Sequence, residues 1–243
     1  VRIDWAAVDT RGECAAFNAL LYGTLKSVHC MAVLKADTYT AALCEEVMRG
    51  IEDAFVRRLF DEKRGVLADA NVDGNLSPKV SEHANMLAVQ YGLLDEDRTR
   101  RAIRNLYEEK TVDFIRAEPF FTWQVLKGLT AADRFDLAVD MVRERWGWML
   151  DRGQSSVSEE WGIHGSWRAG DRYTTIMRTE SHAWSACPAE FLTRTLIGLE
   201  IVEPGCRRVR IAPREPAPDT YLVIFPTPLG PVRVEKKTAD APV

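Results

Sequence analysis

Glu159 and Glu160 stand side by side ahead of Trp161, inside a stretch (146–188) that holds five of the seven tryptophans. These are Trp146, Trp148, Trp161, Trp167 and Trp184, with His164 and His182 among them. A pyranose ring needs an apolar face to stack on and an acid or base at its glycosidic bond, and aromatics beside carboxylates supply both. Small polar residues (Gln154, Ser155, Ser156, Ser158) lead into the pair, so one carboxylate can sit in a semi-apolar pocket. Taken singly, either glutamate reads first as a solvated loop residue, and it is the surroundings that shift the balance. An inverting glycosidase uses one carboxylate to activate water and a second carboxyl, ~6.5–9.5 Å away, to protonate the leaving oxygen. Adjacent residues are poorly placed to take opposite faces of one sugar, so the acid is expected from elsewhere. His182-Ala183-Trp184 offers a donor to a sugar hydroxyl and a further wall, whereas Asp4-Trp5 at the chain start means little alone.

Other chemistries find no support. There is no Gly-x-Gly-x-x-Gly after a strand, no Walker loop, no His-Glu-x-x-His and no nucleophile elbow. The four histidines are not at metal-ligand spacing, and no metal or cofactor is expected. A net charge of -4 argues against nucleic acid as a partner, and no apolar run reaches the ~18 residues that span a bilayer. Five cysteines at scattered spacings (Cys14, Cys30, Cys44, Cys187, Cys206) read as reduced thiols, which points to the cytoplasm. The sequence opens on Val1 rather than Met, which leaves export open.

Helices must position these groups. Thr10 and Glu13 have capping-box spacing, which predicts a helix from near Arg11 to about Lys35. Asp37 or Thr38 should cap a second, to about Phe60, with Leu43, Val47, Ile51, Phe55 and Leu59 at helical spacing. The turn-rich 61–78 stretch allows a short hairpin around 65–70. Ser81 should cap a third helix ending near Gly92, and a fourth spans about 96–107. Pro119 suits the start of a fifth, ending near Gly128, and a sixth covers about 131–148. A long irregular segment, roughly 150–180, then precedes a seventh helix from Pro188 to about Ile197. Ser81-x-His83 and Ser181-His182 each combine a helix cap with a structural or binding histidine. From Val202 onward alternation and recurring Pro predict short strands at 207–211, 221–225 and 232–234. The fold class is therefore mainly α, in antiparallel hairpins like the units of an α/α toroid, with a short C-terminal β segment.

Several segments together resemble bacterial α-L-rhamnosidases of glycoside hydrolase family 78. They are Asp4-Trp5 with Arg11-Gly12-Glu13 and Asn18-Ala19-Leu20, then Ser81-Glu82-His83-Ala84-Asn85, and the run 143–151 through Trp146-Gly147-Trp148. The run 155–161 follows, then Ser181-His182-Ala183-Trp184-Ser185-Ala186-Cys187-Pro188, the most specific piece, then Gly198 and Pro204-Gly205. Ile211-Ala212-Pro213 and Pro226-Thr227-Pro228-Leu229-Gly230 resemble the closing β-domain. The resemblance implies a partial (α/α)6 barrel over 1–200, its C-terminal portion, and a β-sandwich segment over 201–243. It also implies inverting hydrolysis of terminal α-L-rhamnosyl residues in a glycoside or oligosaccharide.

In the family the general base is a Glu preceded by Thr-Thr-x-Trp and followed one residue later by an aromatic. Laid on 155–161, that pattern makes Glu159 the base, with Ser158 where the family has Trp. His182 matches a histidine that binds rhamnose hydroxyls, and Trp5 an aromatic lining the sugar pocket. Trp161, Trp184 and Glu160 complete the expected binding set. Nothing matches the family's upstream general-acid segment, and seven helices fall short of the twelve in a full barrel. The chain is thus expected to supply the general-base half of a site. Its open faces would be covered by another copy or by the missing N-terminal half. The alternatives are a same-barrel hydrolase or lyase for another sugar or uronate, and a truncated, non-catalytic sugar-binding homologue.

Overall fold

The computed structural model describes residues 3–161 and 179–237. Residues 162–178, with His164, Trp167 and most of the segment expected to be irregular, lie outside the described residues. The chain divides into two compact units, Val1–Arg134 with Ser158–Thr179, and Phe135–Val157 with Glu180–Val243.

The first unit is built on helices α1 (Ala15–Leu34), α2 (Thr38–Leu59), α3 (Glu82–Tyr91), α4 (Glu96–Ile103) and α5 (Pro119–Ala131). Helices α1 and α2 form a hairpin over a turn so tight that Ala36 takes a positive φ of 55°. The Asp37 carboxylate caps α2 by accepting from the Thr40 amide at 3.0 Å. α1 also packs on α3, and α3 on α5. The middle helix is accordingly buried on every side from Glu82 to Val89. Its Ala84, Met86, Leu87 and Ala88 are wholly inaccessible, and a side chain the size of Leu contributes roughly 1.5–3 kcal/mol on burial.

Such packing demands glycines. A Cβ on Gly128 of α5 would sit 2.5 Å from the Met86 carbonyl oxygen of α3. Alanine is favoured over glycine in a helix by about 1 kcal/mol, but overpacking a fixed backbone costs about 1–3 kcal/mol. Gly128→Ala should therefore lower the thermal unfolding midpoint. Gly147, in open space on a helix of the second unit, should show the propensity gain alone, so Gly147→Ala should raise it. Equal shifts for the two would remove close packing as the cause.

The start of α1 departs from the expected capping box. Glu13–Cys14 forms strand β1, paired with β4 (Ala70–Val72), which pairs in turn with β5 (Asn75–Leu76) across the Asp73-Gly74 turn. Gly12, at φ +51°, breaks the spacing, and the Glu13 carboxylate is taken by Arg58 at 2.6 Å. The Ala15 amide is satisfied by the Asp69 carbonyl at 2.8 Å, so no side-chain cap is required. Strands β2 (Phe60–Asp61) and β3 (Val66–Leu67) make the short hairpin anticipated around Gly65. Helix α4 ends early because its last turn widens into a π-helical turn, Arg104–Glu108. Along the first hairpin Leu34, Tyr39, Leu43 and Val47 remain exposed.

A carboxylate pair ties the segment before α1 to β4. Asp9 accepts from the Arg11 guanidinium (2.9 and 2.8 Å) and the Ser77 hydroxyl (2.8 Å), and its amide donates to Asp69 at 3.1 Å. The Arg11 guanidinium holds the Asp9 carboxyl well below the usual carboxylate range, against its partial burial. A depressed folded-state value contributes stability above the unfolded value, about pH 4, which is lost as pH falls further. Burial pushes Asp69 the other way, so its ionisation opposes folding at neutral pH and that cost fades on acidification. Asp9→Asn should therefore flatten the fall in unfolding midpoint between about pH 5 and 3, whereas Asp69→Asn should stabilise at pH 7. An unchanged acid limb in Asp9→Asn would contradict this assignment.

The second unit holds α6 (Phe135–Asp151), a 3-10 turn (Ala183–Ala186) and α7 (Cys187–Glu190), which continues as π-helical Phe191–Leu196. Two hairpins follow: β6 (Leu199–Glu203) with β7 (Arg208–Ile211), and β8 (Tyr221–Phe225) with β9 (Val232–Lys236). Its core gathers Phe191, Leu196, Ile197 and Leu199, with Phe135 and Phe191 at 5.5 Å between ring centroids. Strand β6 carries no clean alternation and was not expected. Neither the 3-10 turn nor α7 has a side-chain cap hydrogen bond, so the Ser181-His182 cap is not formed. All five cysteines are free. No helix among the described residues is long and apolar enough to cross a membrane. The chain is mainly α, in helical hairpins followed by a small β segment, as its periodicity implied.

Candidate active site

Besides Asp9 and Asp69, the first unit buries the carboxylates Asp4, Glu82, Glu118, Glu159 and Glu160, each at most 8% exposed. Burying a carboxylate is costly unless it is paired or hydrogen-bonded, and most of these have visible work. The Ser81 hydroxyl caps α3 by accepting from the Ala84 amide at 3.3 Å. The backbone just ahead of it lies beside Ile115, with Glu82 N–H donating to the Ile115 carbonyl at 3.0 Å. Glu82, in the first turn of α3, also accepts from the Ala117 amide at 2.7 Å, where the positive end of the helix favours its charge.

Asp4 reaches the same place from the chain start. Its Oδ1 accepts from the Trp5 amide at 2.8 Å. Its Oδ2 accepts from His83 Nε2 at 2.8 Å and from the Glu118 amide at 2.9 Å. The carboxylate can only accept, so His83 carries its proton on Nε2. Nδ1 of His83, wholly buried, has no hydrogen-bond partner among the described residues. The ring lies 4.4 Å from that of Phe121, tilted by 41°.

The Ala117-Glu118 segment then grips Trp161 twice. The Glu118 carboxylate accepts the Trp161 amide at 3.0 Å, and the Ala117 carbonyl accepts its indole N–H at 2.7 Å. Ser158, Glu159 and Glu160, just ahead, are all buried, and the Glu159 amide donates to the Thr179 carbonyl at 2.9 Å. Glu159 differs from its neighbours in one respect. Among the described residues its carboxylate has no hydrogen bond or ion pair, although the residue is only 8% exposed. A carboxylate so placed can accept a proton from water, the task of a general base.

Four of the residues singled out in the sequence thus belong to this unit: Glu159, Glu160 and half-buried Trp5 and Trp161. His182 and Trp184 belong to the second unit. There their ring centroids lie 4.1 Å apart, tilted by 51°, and the His182 amide donates to the Val157 carbonyl at 2.9 Å. Trp184 is 40% exposed, and Trp146 anchors the next residue by donating its indole N–H to the Ser185 carbonyl at 2.8 Å. Asp4, Glu82 and Glu118 were missed as site components. The available signal was the Glu82-His83-x-Asn85 run, polar at the head of a helix that continues with the apolar Met86–Val89.

Comparison with known proteins agrees with this architecture. Residues 3–196 match the model of the bacterial alpha-L-rhamnosidase six-hairpin glycosidase domain. No curated protein is a significant match. Among solved structures, the glycoside hydrolase family 78 rhamnosidase of Bacillus sp. GL1 aligns with a TM-score of 0.83 at 25% identity. It covers 96% of this chain, which spans only 25% of its length. The rhamnosidase from Klebsiella oxytoca with rhamnose bound aligns at TM-score 0.65 and 21% identity, over 79% of this chain and 36% of its own. The α-L-rhamnosidase from Dictyoglumus thermophilum aligns at 0.70 and 20%, over 90% and 24%. The last two speak for the fold alone. Because the family model takes in every helix from α1 to α7, together with the buried carboxylates of the first unit and the His182-Trp184 pair of the second, this chain belongs to the bacterial α-L-rhamnosidase six-hairpin glycosidase family.

Proposed function

We propose that this chain supplies the general-base part of an inverting α-L-rhamnosidase site, with Glu159 as the base. The observation that carries the reading is the buried Glu159 carboxylate, free of partners among the described residues beside a Trp161 fixed at both its N–H groups. Glu159 would take a proton from water as that water attacks the anomeric carbon of a terminal α-L-rhamnosyl unit. In the first unit Trp5 and Trp161 would stack on the ring and Glu160 would complete the contacts. In the second, by the family resemblance, His182 with Trp184 would bind rhamnose hydroxyls. The acid that protonates the leaving oxygen would come from a segment outside this sequence. The apolar face at Leu34, Tyr39, Leu43 and Val47 supports the same view, since the remaining barrel helices would cover it. Residues 1–200 would be barrel and 201–243 the start of the β-sandwich. The free cysteines suit a cytoplasmic enzyme.

The test is tryptophan fluorescence of the chain titrated with L-rhamnose, D-galacturonate and D-mannose. Saturable, preferential binding of L-rhamnose is the expected result. Tighter binding of the uronate would favour the second reading, a same-barrel enzyme for another sugar. Ser158, buried where the family has Trp, is the observation on that side.

A further inference from the structure

We infer that Asp4 and Glu118, with His83 beneath them, are positioning residues that hold Trp5 and Trp161 in fixed relation. The inference rests on the reading of those two tryptophans as walls of the sugar site, but its geometry is independent of that reading. Starting at Trp5, the backbone N–H bonds to Asp4 Oδ1 at 2.8 Å, and Asp4 Oδ2 holds the Glu118 N–H at 2.9 Å. The Glu118 carboxylate then holds the Trp161 N–H at 3.0 Å. Two carboxylates therefore link the two aromatics, which are 156 positions apart in the sequence, through one unbroken run of hydrogen bonds.

Three features make the run stiff. Each of its three bonds has an ionisable carboxylate as acceptor, and such bonds are shorter and stronger than neutral ones. The Asp4 side chain is 1% exposed and His83 0%, so water does not compete for either. The Ala117-Glu118 segment is also held by Glu82 at 2.7 Å and opens α5 with Pro119, whose fixed φ limits its freedom. His83 adds a lateral brace, bonding Asp4 with Nε2 while its ring packs on Phe121. Neither Asp4 nor His83 is accessible enough to touch a sugar. Their effect would be transmitted through Glu118, and a displacement of about 1 Å in a positioning group can cost 10²-fold in an oriented reaction.

The experiment uses the full chain and reads amide hydrogen exchange at Trp161 and Glu118 by NMR, with L-rhamnose affinity as a second arm. Asp4 has no bond to Trp161, yet Asp4→Ala should speed exchange at the Trp161 amide roughly tenfold, the worth of one charge-assisted hydrogen bond. Amides of α2 should not change. Glu118→Ala should do the same, and Glu118→Gln, which keeps an acceptor, should stay within about threefold of wild type. L-Rhamnose affinity should fall about tenfold in both alanine variants and recover in Glu118→Gln. Unchanged Trp161 exchange in Asp4→Ala would overturn the linkage. Faster exchange with full rhamnose affinity would overturn the positioning role. If Asp4→Ala loosens α2 as well, the Glu118 pair decides alone: equal exchange in Gln and Ala overturns the inference. A wild-type chain that does not bind rhamnose would sink the sugar reading, while the exchange result would still decide the linkage.

Discussion

Glu159→Gln, measured in an enzyme that carries the whole barrel, should reduce kcat on p-nitrophenyl α-L-rhamnoside by roughly 10²–10⁴-fold, the usual worth of a positioned general base. KM should change little, because the amide is nearly isosteric and the ring is held by other groups. Glu160→Gln should cost far less, under about tenfold. That contrast follows from the local structure. The two carboxylates are neighbours in sequence and both are buried, but only Glu159 is left without a partner among the described residues. A base must be free to accept a proton from water. The first-formed product should be β-L-rhamnose, observable by NMR before mutarotation. Equal losses for the two variants would undo the assignment of the base to Glu159, and an α product would contradict inversion. Rhamnose binding that survives Glu159→Gln in a barrel with no activity in either form would instead identify a binding module.

The division between what the sequence disclosed and what it hid follows the range of the interactions. Helices α2, α3 and α5 were legible because their signals are local: Asp37, Ser81 and Pro119 act within one turn of themselves. The start of α1 was misread for the converse reason. Thr10 and Glu13 have the right spacing, but the backbone there pairs with Asn71 and Asp69, and the Glu13 carboxylate accepts from Arg58, all more than 40 residues away. The site divides along the same line. Glu159 and Trp161 stand in one short motif and could be proposed from it. Asp4 gains its role only from His83 and Glu118, 79 and 114 positions away. A carboxylate written beside a tryptophan at a chain start looks solvated until the fold buries it. Glu118 looked like an ordinary residue before a helix-opening proline, and nothing local announces that its carboxylate holds Trp161.

Gly198→Ala should be among the most destabilising single substitutions in the second unit, costing about 2–5 kcal/mol and lowering the unfolding midpoint by roughly 5–15 °C. Gly198 is the residue at which helix gives way to strand. It follows the π-helical end of α7, its carbonyl accepts from the Ala212 amide at 3.2 Å, and its φ is +58°. Two separate costs meet there. An L side chain in the left-handed region costs about 1–2 kcal/mol. The new Cβ would also fall 1.8 Å from the Ala212 carbonyl oxygen, a backbone atom that cannot swing aside, which adds about 1–3 kcal/mol. Gly205 separates the two contributions, because it has a positive φ of 74° but open space where a Cβ would sit. Gly205→Ala should therefore show the conformational cost alone and lose less than half as much. Similar losses at both positions would mean that the contact with Ala212 is not what fixes the turn. The larger loss at Gly198 would place the junction of α7 and β6 among the most constrained points of this unit, the unit that also carries His182 and Trp184.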